Sequence, residues 1–135
     1  MSRHEAAGDR IQEFILHEAA VKKNEPFDAR PDEFWQHLHD IGTELWLDTG
    51  DIGAAEKLWN KSFSALTTNN TLLNREIQKG IYDNFIIESN RFLADVDEES
   101  RIIEIAFILN AYHALRLVQR FDARVSVELH TAMAH

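Results

Sequence analysis

Three short apolar runs, each ending in residues able to do chemistry, constrain this chain more than any other feature. They are Glu44-Leu45-Trp46-Leu47 ending at Asp48, Phe63-Ser64-Ala65-Leu66 ending at Thr67-Thr68-Asn69, and Val125-Ser126-Val127 ending at Glu128. Runs this short suit strands better than helices, and the stretches between them carry helical periodicity. Strands separated by helical connections are the pattern of parallel strands joined by right-handed crossovers, so an α/β class is expected.

The connecting stretches can be read in order. Ile11, Phe14, Ile15 and Ala19 recur at helical spacing, which predicts an amphipathic helix over about Arg3 to Lys23. Asn24-Glu25-Pro26-Phe27-Asp28 breaks it. A second helix is expected from Pro31, with Asp32 and Glu33 complementing its dipole, an apolar face of Phe34, Trp35, Leu38 and Ile41, and an end at Gly42. Strand one follows at about Thr43 to Leu47. Asp51 can cap a helix to about Lys61 whose inward residues are Ala55, Leu58 and Trp59. Strand two spans about Ser62 to Thr67, and Asn69 or Asn70 caps the next helix to Lys79. Gly80 breaks it before a helical stretch from Ile81 to Ala94. Asp97 caps the longest helix, about Glu98 to Arg120, with a stripe of Ile102, Ile105, Ala106, Leu109 and Leu117. Strand three is Arg124 to Leu129.

Length and charge narrow the class. At 135 residues the chain is one domain or part of one, and 44% hydrophobic residues suffice for a core. It is shorter than the roughly 250 residues of a complete eight-stranded α/β barrel. A net charge of −9 argues against nucleic acid or an anionic membrane as partner. The absence of cysteine excludes disulfides, zinc–thiolate sites and a Cys nucleophile. The polar N-terminal stretch Met1 to Arg10 is not a secretory signal, and no apolar run nears the roughly 20 residues of a membrane span, so a cytoplasmic location is expected.

The strand ends carry the candidate chemistry. Asp48, in Leu47-Asp48-Thr49-Gly50-Asp51, is placed either as a general acid or base at a pocket mouth or as a carboxylate satisfying turn N–H groups. Thr67, Thr68 and Asn69 offer two hydroxyls and an amide suited to orienting a polyol or water, and they suit turn and cap chemistry equally. Glu128 lies in an apolar strand, where a carboxylate must be paired, protonated or facing a pocket. Metal binding has little support. His37 and His39 point in different directions on one helix, and His4, His17 and His113 lack a second ligand at helical spacing, so surface or half-buried positions are expected for them. Glu128, His130 and Asp48 make a poor metal signature.

The order and wording of these segments resemble the transaldolase family. Leu45-Trp-Leu-Asp-Thr-Gly-Asp-Ile52 is similar to its first strand, Ala65-Leu-Thr-Thr-Asn-Asn-Thr-Leu72 to its Thr-Thr-Asn-Pro-Ser-Leu segment, and Val125-Ser-Val-Glu-Leu129 to its third strand. The resemblance covers residues 43–135. It implies the N-terminal part of a (β/α)₈ TIM barrel, about three parallel strands with crossover helices, preceded by a two-helix extension over residues 1–42. It also implies an activity: transfer of a dihydroxyacetone unit between sugar phosphates through a lysine Schiff base, with no metal or cofactor. Asp48 then matches the carboxylate that handles the substrate hydroxyl proton in C–C cleavage, Glu128 the one that works with water during imine formation, Asn69 the asparagine that holds substrate, and Thr67 and Thr68 its neighbours.

Two departures stand out. Asn70-Thr71 replaces Pro-Ser, which is expected to reshape the loop after strand two. The family's Schiff-base lysine belongs to a fourth strand, whereas Lys22, Lys23, Lys57, Lys61 and Lys79 all fall on expected helices or their edges. The 135 residues alone are therefore expected to lack transaldolase activity, and the unpaired strand edges are expected to favour self-association. The alternative is a non-enzymatic, α-rich interaction domain resembling the barrel's first half.

Overall fold

The computed structural model describes residues 3–21 and 25–128. Its elements are α1 (Arg3–Val21), α2 (Glu33–Asp40), β1 (Leu45–Asp48), α3 (Ile52–Leu58), β2 (Phe63–Thr68), α4 (Asn70–Gln78), α5 (Asp83–Phe92), α6 (Glu98–Phe121) and β3 (Arg124–Val127). The strands form one parallel sheet in the order β1-β2-β3, so the fold is α/β with β2 in the centre.

The helix starts follow the capping residues. Asp32 accepts from the N–H groups of Phe34 and Trp35 at 3.0 and 3.2 Å, Asp51 from Ala54 at 2.9 Å, Asn69 from Leu72 at 3.0 Å and Asp97 from Ser100 at 3.0 Å. Gly80, with φ +76°, supplies the left-handed turn after α4. At the end of α6, Asp122 takes the left-handed cap at φ 48° and sends the chain straight into β3.

Two hydrophobic clusters share α6. In one, Leu73, Tyr82, Phe85 and Leu93 pack with Ile108, Leu109 and Tyr112 of α6, while Ile11, Phe14 and Ile15 of α1 close over them. Phe85 stacks on Tyr112 with centroids 4.2 Å apart. In the other, Leu117 and Phe121 pack with Ala55 and Trp59 against Leu47, Leu66 and Val125 of the sheet. The segment before α2 ties this cluster to the chain start: Phe27 N–H donates to the Arg120 carbonyl at 2.6 Å, and the Phe27 ring packs on Phe121. By length and composition α6 could cross a membrane, but its most buried residues form the boundary between the two clusters.

Some expected inward faces are not covered. Helix α2 buries no residue: Trp35 packs on Phe63 with centroids 5.3 Å apart, while Phe34 and Ile41 remain 66% and 65% exposed. Leu58 is exposed because α3 stops there, and the extended backbone at the next residue sends Trp59 into the core instead. Ile102 has the right spacing but lies in early turns of α6 that are left open. The chain from Leu129 onward, with the expected end of strand three and His130, lies outside the described residues, as do Lys22 and Lys23.

Candidate active site on the open sheet face

Period-two alternation splits the sheet into a covered and an open face. Leu47, Leu66 and Val125 point into the core. Asp48, Thr67 and Ser126 point the other way, and register makes them direct neighbours: Asp48 pairs with Thr67, and Thr67 with Ser126. They form one row across three strands at the carboxyl edge, where open α/β sheets and α/β barrels build their sites. Thr67 Oγ1 donates to Asp48 Oδ1 at 2.8 Å. Thr49 N–H donates to the Thr67 carbonyl at 3.0 Å and Glu128 N–H to the Thr68 carbonyl at 3.3 Å, which carries the parallel pairing one residue past each edge strand.

Of the residues anticipated from sequence, Asp48, Thr67 and Glu128 lie along this edge. Glu128 directly follows β3, shares the alternation of Ser126 and is exposed rather than buried within a strand. Asn69 begins α4, and its Oδ1 is engaged by Leu72 N–H, so a substrate contact is left to its NH₂ group. Thr68 does not join the row. It alternates onto the covered face, and its Oγ1 is buried with no partner in the chain. Ser126 was not singled out from sequence, although it stands two residues before Glu128 and strand alternation already places both on one face.

The lower half of the open face is also polar. Glu44 gathers the Trp46 indole foremost, then the Ser64 hydroxyl at 3.1 Å and the Arg124 guanidinium at 2.6 Å, and these hold its carboxyl below the usual range. Trp46 remains 49% exposed beside them. Just past β1, Gly50 is buried, and a Cβ there would sit 3.1 Å from the backbone carbon and Cβ of Leu72, so glycine lets the β1–α3 turn press against α4.

Among the described residues, the lysines lie on α3, before β2 and at the end of α4, none of them on a strand. Lys79, at the end of α4, reaches Asp51 Oδ2 at 2.8 Å and Glu76 Oε1 at 2.6 Å. The Asp51 hydrogen bond first, and the Glu76 bond second, raise its pKa and hold it protonated, the opposite of what a Schiff-base amine needs. Lys57 lies on α3 and Lys61 in the turn before β2. Asn70 Oδ1 accepts from Asn110 Nδ2 at 3.3 Å, so Asn70 ties α4 to α6 behind the site.

Two features lie away from the row. Among the described residues no group of three or more His, Asp or Glu is gathered to hold a metal. His37 and His39 are exposed on α2. A cleft of about 410 Å³ opens at the amino edge of the sheet instead, between Phe27, Arg30, Pro31, Lys57, Trp59 and Asn60.

Contrary to the surface or half-buried position expected for it, His113 is 1% exposed. Its Nδ1 lies 2.6 Å from the Tyr82 hydroxyl, which Arg116 approaches at 2.9 Å. A guanidinium can only donate, so the Tyr82 oxygen accepts from Arg116, while the direction of its bond with Nδ1 follows the tautomer of the ring. Burial, and secondarily the Arg116 charge, lowers the His113 pKa to about 4, so the ring is neutral at neutral pH. Burial likewise raises the Tyr82 hydroxyl. The sequence signal was that His113 falls within the Leu109, Tyr112, Leu117 stripe.

No protein-family model, curated protein or solved structure matches this chain.

Proposed function

We propose that the open sheet face is the first part of a transaldolase-like site acting on ketose phosphates. The observation that carries this is the in-register row Asp48–Thr67–Ser126 at the carboxyl edge of a parallel sheet, with Glu128 beside it. Support also comes from the polar lining of that face, which suits a hydroxylated ligand better than a packed helix.

In the proposed chemistry a lysine amine adds to the ketose carbonyl and loses water to form an imine. Glu128, through a water, moves the proton that lets the hydroxyl leave. Asp48 takes the proton of the neighbouring substrate hydroxyl as the C–C bond breaks, and the electron pair of that bond passes into the imine to give an enamine. Thr67 steadies the Asp48 carboxylate, and Asn69 and Ser126 hold substrate hydroxyls. The family resemblance implies that this amine belongs to a fourth strand of a (β/α)₈ barrel, and the ion-paired Lys79 is unsuited to the role. A cytoplasmic location, with neither metal nor cofactor, belongs to the same proposal.

The test has two parts. Adding fructose 6-phosphate to ¹⁵N-labelled protein should move the amides of Asp48, Thr67, Asn69, Ser126 and Glu128, and Asp48→Ala should weaken the effect. Shifts confined to the 27–32 and 56–60 cleft would refute the site. Fructose 6-phosphate with erythrose 4-phosphate should give no turnover on these 135 residues, and measurable turnover would overturn the assignment of the nucleophile.

A second proposal, an interaction module, is favoured by the exposed Phe34 and Ile41 of α2. It predicts concentration-dependent self-association in light scattering that Phe34→Ser with Ile41→Ser abolishes.

A further inference from the structure

We propose that one buried water sits behind the carboxyl end of β2, bridging Thr68 Oγ1 and His113 Nε2 and completing a polar chain Arg116–Tyr82–His113–water–Thr68. Both end atoms are buried and have no partner in the chain. Assigning the Tyr82 hydrogen to Nδ1 gives that hydrogen an acceptor and makes His113 Nε2 an N–H without one, while a threonine hydroxyl can both donate and accept. Native proteins rarely leave such a pair unsatisfied, and a water with two or more polar partners is the usual remedy.

Helix and strand rise place the two residues at the same level of the packing between α6 and the sheet. Helix α6 leads directly into β3, so it runs antiparallel to the sheet, and Leu117 packs in the cluster that holds Leu66 and Val125. One helical turn back from Leu117, about 6 Å toward the strands' carboxyl ends, is His113. Two residues on from Leu66, about 7 Å in the same direction and on the same face, is Thr68. The Asn70–Asn110 bond fixes that level independently. The Nδ1 edge of the ring is turned to Tyr82 in the helical cluster, which leaves the Nε2 edge on the ring's far side. Such a water would pin the peptide between Thr67 and Asn69 from behind. The water site stands independently of the sugar-phosphate proposal.

The test reads the ring directly. In ¹H–¹⁵N spectra His113 should show a protonated Nε2 and an unprotonated Nδ1, with a rotating-frame cross-peak from Hε2 to a long-lived water. Thr68→Val, nearly isosteric, should remove that cross-peak and shift Hε2, while Thr68→Ser should keep both. A water refined within hydrogen-bond distance of both atoms in a crystal structure would agree. A proton on Nδ1, no bound-water cross-peak in the wild-type protein, or a direct Nε2–H to Oγ1 bond would overturn the proposal. The wild-type and Thr68→Ser measurements decide it even if Thr68→Val does not fold.

Discussion

The buried His113 predicts a specific loss of stability in mild acid. Folding favours the neutral ring, lowering the pKa from its ordinary value of 6.5 to about 4. Above pH 6.5 neither state holds the proton and the residue adds nothing to the pH dependence. Between pH 6.5 and about 4 only the unfolded chain takes it up, so stability falls by about 1.4 kcal/mol per pH unit. Below pH 4 both states are protonated and the loss saturates. Over the interval the loss approaches about 3 kcal/mol, a large share of the roughly 5–15 kcal/mol that holds a small domain together. The structural reason is that a second ring proton would create a buried cation, beside the half-buried Arg116 guanidinium. Urea midpoints from pH 8 to pH 4.5, for wild type and His113→Gln, isolate the effect, because every other titrating group is common to both proteins. His113→Gln should start less stable at pH 8 and lose less between pH 6.5 and pH 4.5. Parallel pH profiles, or an NMR titration placing His113 in the folded protein at or above 6.5, would refute the reasoning.

Four further outcomes are expected. Gly50→Ala forces a Cβ against the Leu72 backbone and should cost about 1–3 kcal/mol, read as a lower urea midpoint with an unchanged slope. Leu117→Ala, at a residue with no exposed surface, should cost about 2–5 kcal/mol in thermal or chemical melts. Asn69→Ala should cost about 1 kcal/mol by removing the α4 cap, whereas Asn69→Asp should preserve stability and weaken any sugar-phosphate response, which separates the capping role from the proposed binding role. Asp48→Asn should leave the melting temperature almost unchanged, since its bond to Thr67 is solvent-exposed, while reducing the amide shifts caused by fructose 6-phosphate.

Local patterns carried a good part of this architecture. Asp51, Asn69 and Asp97 announced their helices because a side-chain oxygen meets the unpaired N–H groups of the first turn wherever the helix packs. The three strands were legible as short apolar runs between helices, and the alternation of β1 and β3 already assigned their faces. That same alternation separates Thr67 from Thr68, though a motif of consecutive polar residues invites grouping them. Phe34, Ile41, Leu58 and Ile102 show the limit: periodicity marks an apolar side of a helix but not whether another element covers it.

What no local pattern could state is anything that depends on register or on distant partners. Asp48, Thr67 and Ser126 are separated by helices in the chain, and only parallel pairing makes them adjacent. Lys79 is an ordinary helix-end lysine until folding brings Asp51, 28 residues away, to its amine and fixes its charge. His113 reads as one more polar residue on a long helix. Its pKa falls because folding buries the ring, with the charge of Arg116, a turn further along the same helix, adding to the effect. Hydrophobic spacing and capping act within a few residues and are written in the sequence, whereas burial and electrostatics depend on which surfaces meet.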